Sequence, residues 1–286
     1  MAIPVRWRIT CFDFCLCRVR SQFLPHCSAP VMTDRLPMNT QFSCVGCGSC
    51  CTDHHVPLTL TEAMHWAADG GTVIVLTEAF LADGYGVDHA QLNHALRRST
   101  VVASGTAEVH VAITFAAYNV GPCRNLDAEN LCRIYERRPL VCRIYPMEIN
   151  PHIPLRPESK DCPPQSWEQG PDLIVGGQLV DRQLIALIEQ SRQADRDDIA
   201  AKQAICQQLG IRTTALKGNG FVAYLPDMSA FAGAVVHVLE GADCPSEHEG
   251  WTFHVAGQAV FDRLQVAGAN VLCSEPQGYL FIPLQA

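Results

Sequence analysis

Four thiols fall within eight residues in the stretch Cys44-Val-Gly-Cys47-Gly-Ser-Cys50-Cys51. Core packing does not call for this, because one buried cysteine fills apolar space as well as another. A tight run of sulfurs separated by glycines calls for an ion that holds them together. Gly46 and Gly48 allow the dihedrals needed to wrap a backbone around one centre, and they leave amide N–H groups free to point at sulfur. The stretch reads as a metal loop.

Thiolates select zinc, iron–sulfur clusters or copper(I). Zinc takes four ligands and commonly uses Cys-x2-Cys pairs, here Cys44 with Cys47 or Cys47 with Cys50. Ferredoxins open with Cys-x2-Cys-x2-Cys and later supply a cysteine followed by proline. Cys44, Cys47 and Cys50 match the opening, and Cys162-Pro163 is a candidate remote ligand. Cys51 follows Cys50 directly, where a ferredoxin has spacers. Side chains of neighbouring residues diverge, so Cys50 and Cys51 serve two centres or leave one thiol free.

Four more cysteines follow at Cys123, Cys132, Cys142 and Cys162, beside turn formers and prolines. The tetrapeptide Cys-Arg-Ile-Tyr occurs at Cys132 and again at Cys142. The candidate metal ligands are therefore Cys44, Cys47, Cys50, Cys51, Cys123, Cys132, Cys142 and Cys162. Eight thiols suffice for two four-thiolate sites, or for one site with reactive thiols beside it. His54 and His55 have usable spacing from Cys51 but read as ordinary loop histidines. Cys206, Cys244 and Cys273 read as core or surface thiols.

Arg124, Arg133, Arg137, Arg138 and Arg143 crowd the same region. Four thiolates around a divalent ion leave a net charge of about −2. Guanidinium groups nearby would stabilise it and raise a cluster's reduction potential, or pair with Glu129, Glu136 and Glu148. Tyr135 and Tyr145 are placed to hydrogen-bond or pack near the site.

The elements that must position these residues come next. The chain has 286 residues, 48% apolar and 17% charged, which suits a globular protein with ample core. Its net charge of −8 speaks against a general nucleic-acid binder. Fifteen cysteines, clustered and without a secretory signal, favour a reducing, cytoplasmic setting and metal ligation over disulfides. No stretch has the roughly 18 apolar residues of a spanning helix, so no membrane is expected. The partner is expected to be a protein or a small molecule of unspecified kind.

Thr59 and Glu62 form a capping-box pattern, which starts a helix running to about Asp69. Helical pieces are expected over 77–82 and 88–98. Glu108 to Tyr118 alternates as a strand. Residues 123–132 read as a hairpin-like loop, and Pro139 opens a short helical turn carrying Cys142. Residues 165–170 read as a linker. Helices are expected over 179–188, 199–209, 228–239 and 258–265, with strands at 221–225, 251–255 and 279–282.

The expected class is α+β, with a cysteine-rich metal-binding domain of short helices and a small sheet over 38–170. A smaller α+β region follows over 171–286. Residues 1–37 form an extension that fits an organelle transit peptide or an over-long gene start, the second being the expectation taken. No nucleotide loop, nucleophile elbow or pair of catalytic carboxylates is evident, so the sequence assigns no reaction.

Phe42-x-Cys44-x2-Cys47-Gly48-x-Cys50-Cys51 resembles the leading motif of the YkgJ-type cysteine-cluster family of zinc- or iron-chelating proteins. Cys123, Cys132-Arg-Ile-Tyr135 and Arg138-Pro139-x2-Cys142-Arg-x-Tyr145-Pro146 resemble its second block, and Cys162-Pro163 its closing cysteine. The likeness covers about Met38 to Trp167. It implies metal binding more than a reaction. Some relatives are linked to flagellin lysine N-methylation and to an iron–sulfur cluster. The expected cofactor is an iron–sulfur cluster or iron in support of redox or group-transfer chemistry; the alternative is zinc in a non-catalytic structural or interaction module.

Overall fold

The computed structural model describes residues 37–241, 250–273 and 277–283. The expected extension lies almost wholly outside them, with Cys11, Cys15, Cys17 and Cys27, and so does Cys244. The class is α+β. Two units interleave along the chain. One takes the described residues through His54 together with Val120–Glu189. The other takes His55–Asn119 and the described residues from Gln190 onward.

This division replaces the sequential boundary expected near residue 170. Residues 55–119 join the carboxyl-terminal half because Val73–Leu81 pairs with Ala107–Ala117 on one edge and Gly220–Tyr224 on the other. Residues 171–189 stay with the cysteines because Asp172–Val175 pairs with Asn39–Gln41. Long-range ladder bonds decide both cases, and local composition does not record them.

The first unit holds a small antiparallel sheet of Asn39–Gln41, Asp172–Val175 and Gln178–Leu179. Beside it a core forms from Leu140, Ile144, Met147, Leu155, Leu173, Ile174, Leu184 and Ile188. Leu140 and Ile144 lie four apart on the helix Leu140–Ile144 and so share a face. Cys142 lies between them on the opposite face. Residues 165–170 are not a plain linker. They contain the helix Gln165–Glu168, where the buried Ser166 accepts the backbone N–H of Ser43 at 2.9 Å.

The other unit is built on a six-stranded antiparallel sheet. Its path runs Leu280–Pro283, Gly220–Tyr224, Val73–Leu81, Ala107–Ala117 and Val56–Leu58. Thr100–Ser104 shares the last edge of Ala107–Ala117. Val73–Leu81 is buried along its whole length. The helical piece expected over 77–82 is thus part of a central strand. Glu78, Ala79 and Leu81 are good helix formers, but pairing on both edges overrides that weak preference. A second sheet of Thr213–Ala215, Thr252–His254 and Val271–Leu272 is parallel, with the helix Gln258–Val266 crossing between its last two strands.

The capping box is present: Thr59 Oγ1 accepts the Glu62 N–H and the Glu62 carboxylate accepts the Thr59 N–H, opening the helix Leu60–Ala68. Thr59→Ala is expected to cost about 1 kcal/mol of stability in urea unfolding. An unchanged midpoint would show that the cap contributes nothing.

A chain of five charges crosses this unit. Lys217 bonds Glu78 at 2.6 Å, and Arg98 lies 3.9 Å from the same carboxylate. Arg98 Nε donates to Asp195 at 2.8 Å, and Lys202 donates to the other Asp195 oxygen at 2.8 Å. Burial opposes ionisation of Asp195, but Lys202 and Arg98 outweigh it and hold its carboxyl below the usual range.

Candidate metal centre

Gly48 is the pivot of the first cysteine loop. It sits at φ 73° before the turn Ser49–Cys51, and its carbonyl accepts the Cys51 N–H at 3.0 Å and the Thr52 hydroxyl at 3.1 Å. A Cβ there would stand 3.1 Å from the Asn130 Cβ, so the loop 127–131 packs directly on the glycine. Gly48→Ala is expected to strain the turn by about 1–2 kcal/mol. Metal affinity should fall roughly tenfold, read by competition with a chelator. Unchanged affinity would mean that the turn does not set the ligand geometry.

The first loop and the second block are joined through their backbones. The Cys123 N–H donates to the Cys51 carbonyl at 2.7 Å, and Thr52 bridges Pro122. The Asp53 N–H donates to the Gly121 carbonyl at 2.7 Å, and Asp53 Oδ1 accepts the Gly121 N–H at 2.6 Å. Asp53 adopts φ 57°, a conformation that aspartate tolerates better than most residues. The loop 123–132 then doubles back, with Leu126 bridging Cys132 and the Arg133 N–H on the Asn125 carbonyl at 2.8 Å. The hairpin-like shape expected from its turn formers is present.

All eight candidate cysteines lie in this unit, none in a disulfide. Cys50 and Cys51 place their sulfurs 3.9 Å apart. Sulfurs on one tetrahedral zinc are about 3.8 Å apart, from a Zn–S bond of about 2.3 Å. Among the described residues, no three His, Cys, Asp or Glu side chains form a ready coordination sphere. The thiols are gathered without being closed around a point. The donor set still suits the expected ions, since soft sulfur is what zinc and iron–sulfur clusters take.

The charges around each sulfur sort the eight into neighbours. At Cys142, burial first, then Cys51, Cys123 and Cys132 push the thiol up, against Arg138. At Cys123, burial pushes the thiol up, the Asn125 backbone N–H opposes it, and Cys51 and Cys132 add to the rise. At Cys50 the hydrogen bond to Cys51 is the largest cause of a rise, followed by burial and by Cys51, Cys162 and Cys44. At Cys162, burial raises the thiol, Tyr145 opposes it, and Cys47 and Cys44 raise it further. Cys51 is the exception. The hydrogen bond from Cys50, aided by Arg138 and opposed by burial, lowers it to about 7.

Tyr145 Oη lies 3.1 Å from Cys162 Sγ, so this tyrosine does reach the site. Tyr135 instead packs under the Arg138 guanidinium, 3.7 Å from ring centre to Cζ. Arg133 donates to the carbonyls of Arg124 and Leu126, stapling the loop 123–132. Glu148 pairs with Lys160. His54 Nε2 lies 3.2 Å from Asp161, beside Cys162, while His55 belongs to the other unit, where it accepts the Asn119 N–H at 3.1 Å. The sequence reading passed over Asp53 and Asp161. The turn former Gly121-Pro122 opposite a loop aspartate was the one available sign of the first.

Cys206 is fully buried in the helix Ile199–Gln208, and burial pushes its thiol up, as for an inert core position. Cys273 is exposed.

Residues 43–163 match the model of a family with the description "Putative zinc- or iron-chelating domain", designated CxxCxxCC. This segment is similar to the CxxCxxCC family. No curated protein and no solved structure matches the chain significantly. All eight cysteines fall inside the CxxCxxCC segment. The same segment runs through residues 55–119, which contain no cysteine and fold with the other unit. The cysteine-bearing blocks thus bracket a passage that serves a different core. Metal binding is the function on which the family description and the gathered thiols agree. No described helix is long and apolar enough to cross a membrane.

Proposed function

We propose that the cysteine-rich unit holds an iron–sulfur cluster or iron and supports redox or group-transfer chemistry. One observation carries this reading. The ferredoxin-like triplet Cys44, Cys47 and Cys50 has Cys162 as its neighbour, from 112 positions downstream of Cys50, and Pro163 follows it. Four thiolates from a triplet and a remote cysteine are the donor set of a cubane cluster. Such a cluster would supply one-electron chemistry. The chain's own residues would tune it: Tyr145 donates a hydrogen bond to Cys162, and Arg138 brings positive charge to Cys51.

The test is purification without oxygen, followed by iron and acid-labile sulfide analysis and visible spectroscopy. A brown protein whose visible band bleaches on reduction is expected. A colourless protein with stoichiometric zinc and no sulfide would overturn it.

A second reading, a non-catalytic zinc module, is favoured by a different observation. No residue from 43 to 53 or from 120 to 138 is buried. An ion that stands in for missing core explains such a stretch, as in small zinc domains. Zinc by elemental analysis without redox behaviour would select this reading.

A further inference from the structure

We propose that the eight cysteines form two separate four-thiolate centres, Cys44, Cys47, Cys50 and Cys162 in one and Cys51, Cys123, Cys132 and Cys142 in the other, meeting at Cys50–Cys51. The proposal rests on the metal-binding reading and adds to it the number of centres and the assignment of every ligand.

Backbone and ring contacts place the start of the first loop beside Cys162. Ser43 donates its N–H to Ser166 at 2.9 Å, and Ser166 donates its own to Pro163 at 3.0 Å. Phe42 packs on Trp167, ring centres 4.9 Å apart, and edge-on against Tyr145, whose hydroxyl reaches Cys162. Cys44 therefore starts beside Cys162, and the glycine turns bring Cys47 and Cys50 in after it.

The other set has its own scaffold. Cys51 receives the Cys123 N–H, and the bridge Leu126–Cys132 returns Cys132 toward Cys123. Cys142 comes from the helix face opposite Leu140 and Ile144. The electrostatic neighbours agree: Cys142 feels Cys51, Cys123 and Cys132, whereas Cys162 feels Cys47 and Cys44.

The 3.9 Å between Cys50 and Cys51 sulfurs allows two arrangements. One ion could hold both, or the two could be touching ligands of different ions. The second arrangement gives adjacent residues the divergent directions that chain geometry favours, and it keeps Cys51 with Cys123, whose N–H bonds the Cys51 carbonyl.

Native mass spectrometry of the full chain, purified anaerobically, counts the centres directly, with iron, zinc and sulfide measured on the same sample. Two inorganic centres are expected in the unaltered chain. Cys162→Ser and Cys44→Ser should each lose the same one centre and keep the other. Cys142→Ser and Cys123→Ser should each lose only that other one. The double variant Cys162→Ser/Cys142→Ser should carry neither. A single centre in the unaltered chain would overturn the proposal, whatever the variants do. So would loss of all metal from one single variant whose circular dichroism matches the unaltered chain. An unaltered chain that carries no metal at all would remove the metal-binding reading itself, a result distinct from a count of one.

Discussion

Stripping the ion with a strong chelator under anaerobic, reducing conditions should make trypsin cut after Arg124, Arg133 and Arg137 at least about 100-fold faster. These arginines are exposed on the cysteine-bearing loop. No buried residue lies between 43 and 53 or between 120 and 138 to hold the loops once the sulfurs are released. What remains is a set of hydrogen bonds, backbone to backbone and from side chains such as Arg133, Asp53 and Asp127, each contributing about 1 kcal/mol net. Structural zinc contributes on the order of 10 kcal/mol in small domains, and a 100-fold change needs only about 2.8 kcal/mol. The core around Leu140, Ile144, Leu173 and Ile188 has its own apolar packing. The fragment that begins at Arg138 should therefore resist further digestion. Arg138 itself is followed by proline, so cleavage should stop short of it. Equal cleavage rates after verified metal loss would mean that the loops stand without an ion.

Asp195→Asn should destabilise the second unit by about 3–5 kcal/mol, the range seen when one partner of a buried ion pair is removed. Asp195 anchors Arg98 and Lys202, whose side chains are only 10% and 4% exposed. With the charge gone, Lys202 stays buried beside a neutral amide, and Arg98 loses its shortest ion pair while its longer contacts to Thr114 at 3.3 Å and Glu78 at 3.9 Å persist. The pH dependence follows in sign. The folded carboxyl titrates below its unfolded value, so its contribution is complete above about pH 4, the ordinary aspartate range. The contribution is lost as pH falls through the lower, folded value. The unaltered chain should lose stability steeply with acid, and the Asn variant less so. Urea unfolding at pH 7 and about pH 2, inside the window between the unfolded and folded values, measures both effects. A variant as stable as the unaltered chain at pH 7 would show that the charge network is neutral in the balance.

The candidate cysteines stood out in the sequence more clearly than the fold did. Cysteine spacing is a local signal, and Cys44, Cys47, Cys50 and Cys51 announce their chemistry without any tertiary information. Cys162-Pro163 could be matched to the first triplet by its resemblance to a known ligand pattern. The backbone bond from Cys123 to Cys51, on which the proposed partition of Cys50 from Cys51 rests, is contained in no spacing. The capping box at Thr59 was visible because both of its halves lie within three residues. Val73–Leu81 was obscured because Glu78 and Ala79 favour a helix locally, while the strand is fixed by partners at 109–117 and 222–224. The division into units was hidden for the same reason. The pair Arg98–Asp195 spans 97 positions, a separation at which no local pattern joins the two charges.

Metal K-edge X-ray absorption on the anaerobically purified full chain tests the central claim most directly. Convergence of thiols from 44–51, 123–142 and 162 on metal predicts a first shell of sulfur alone at about 2.3 Å. A first shell dominated by oxygen or nitrogen, or a folded chain with no metal edge at all, would contradict it.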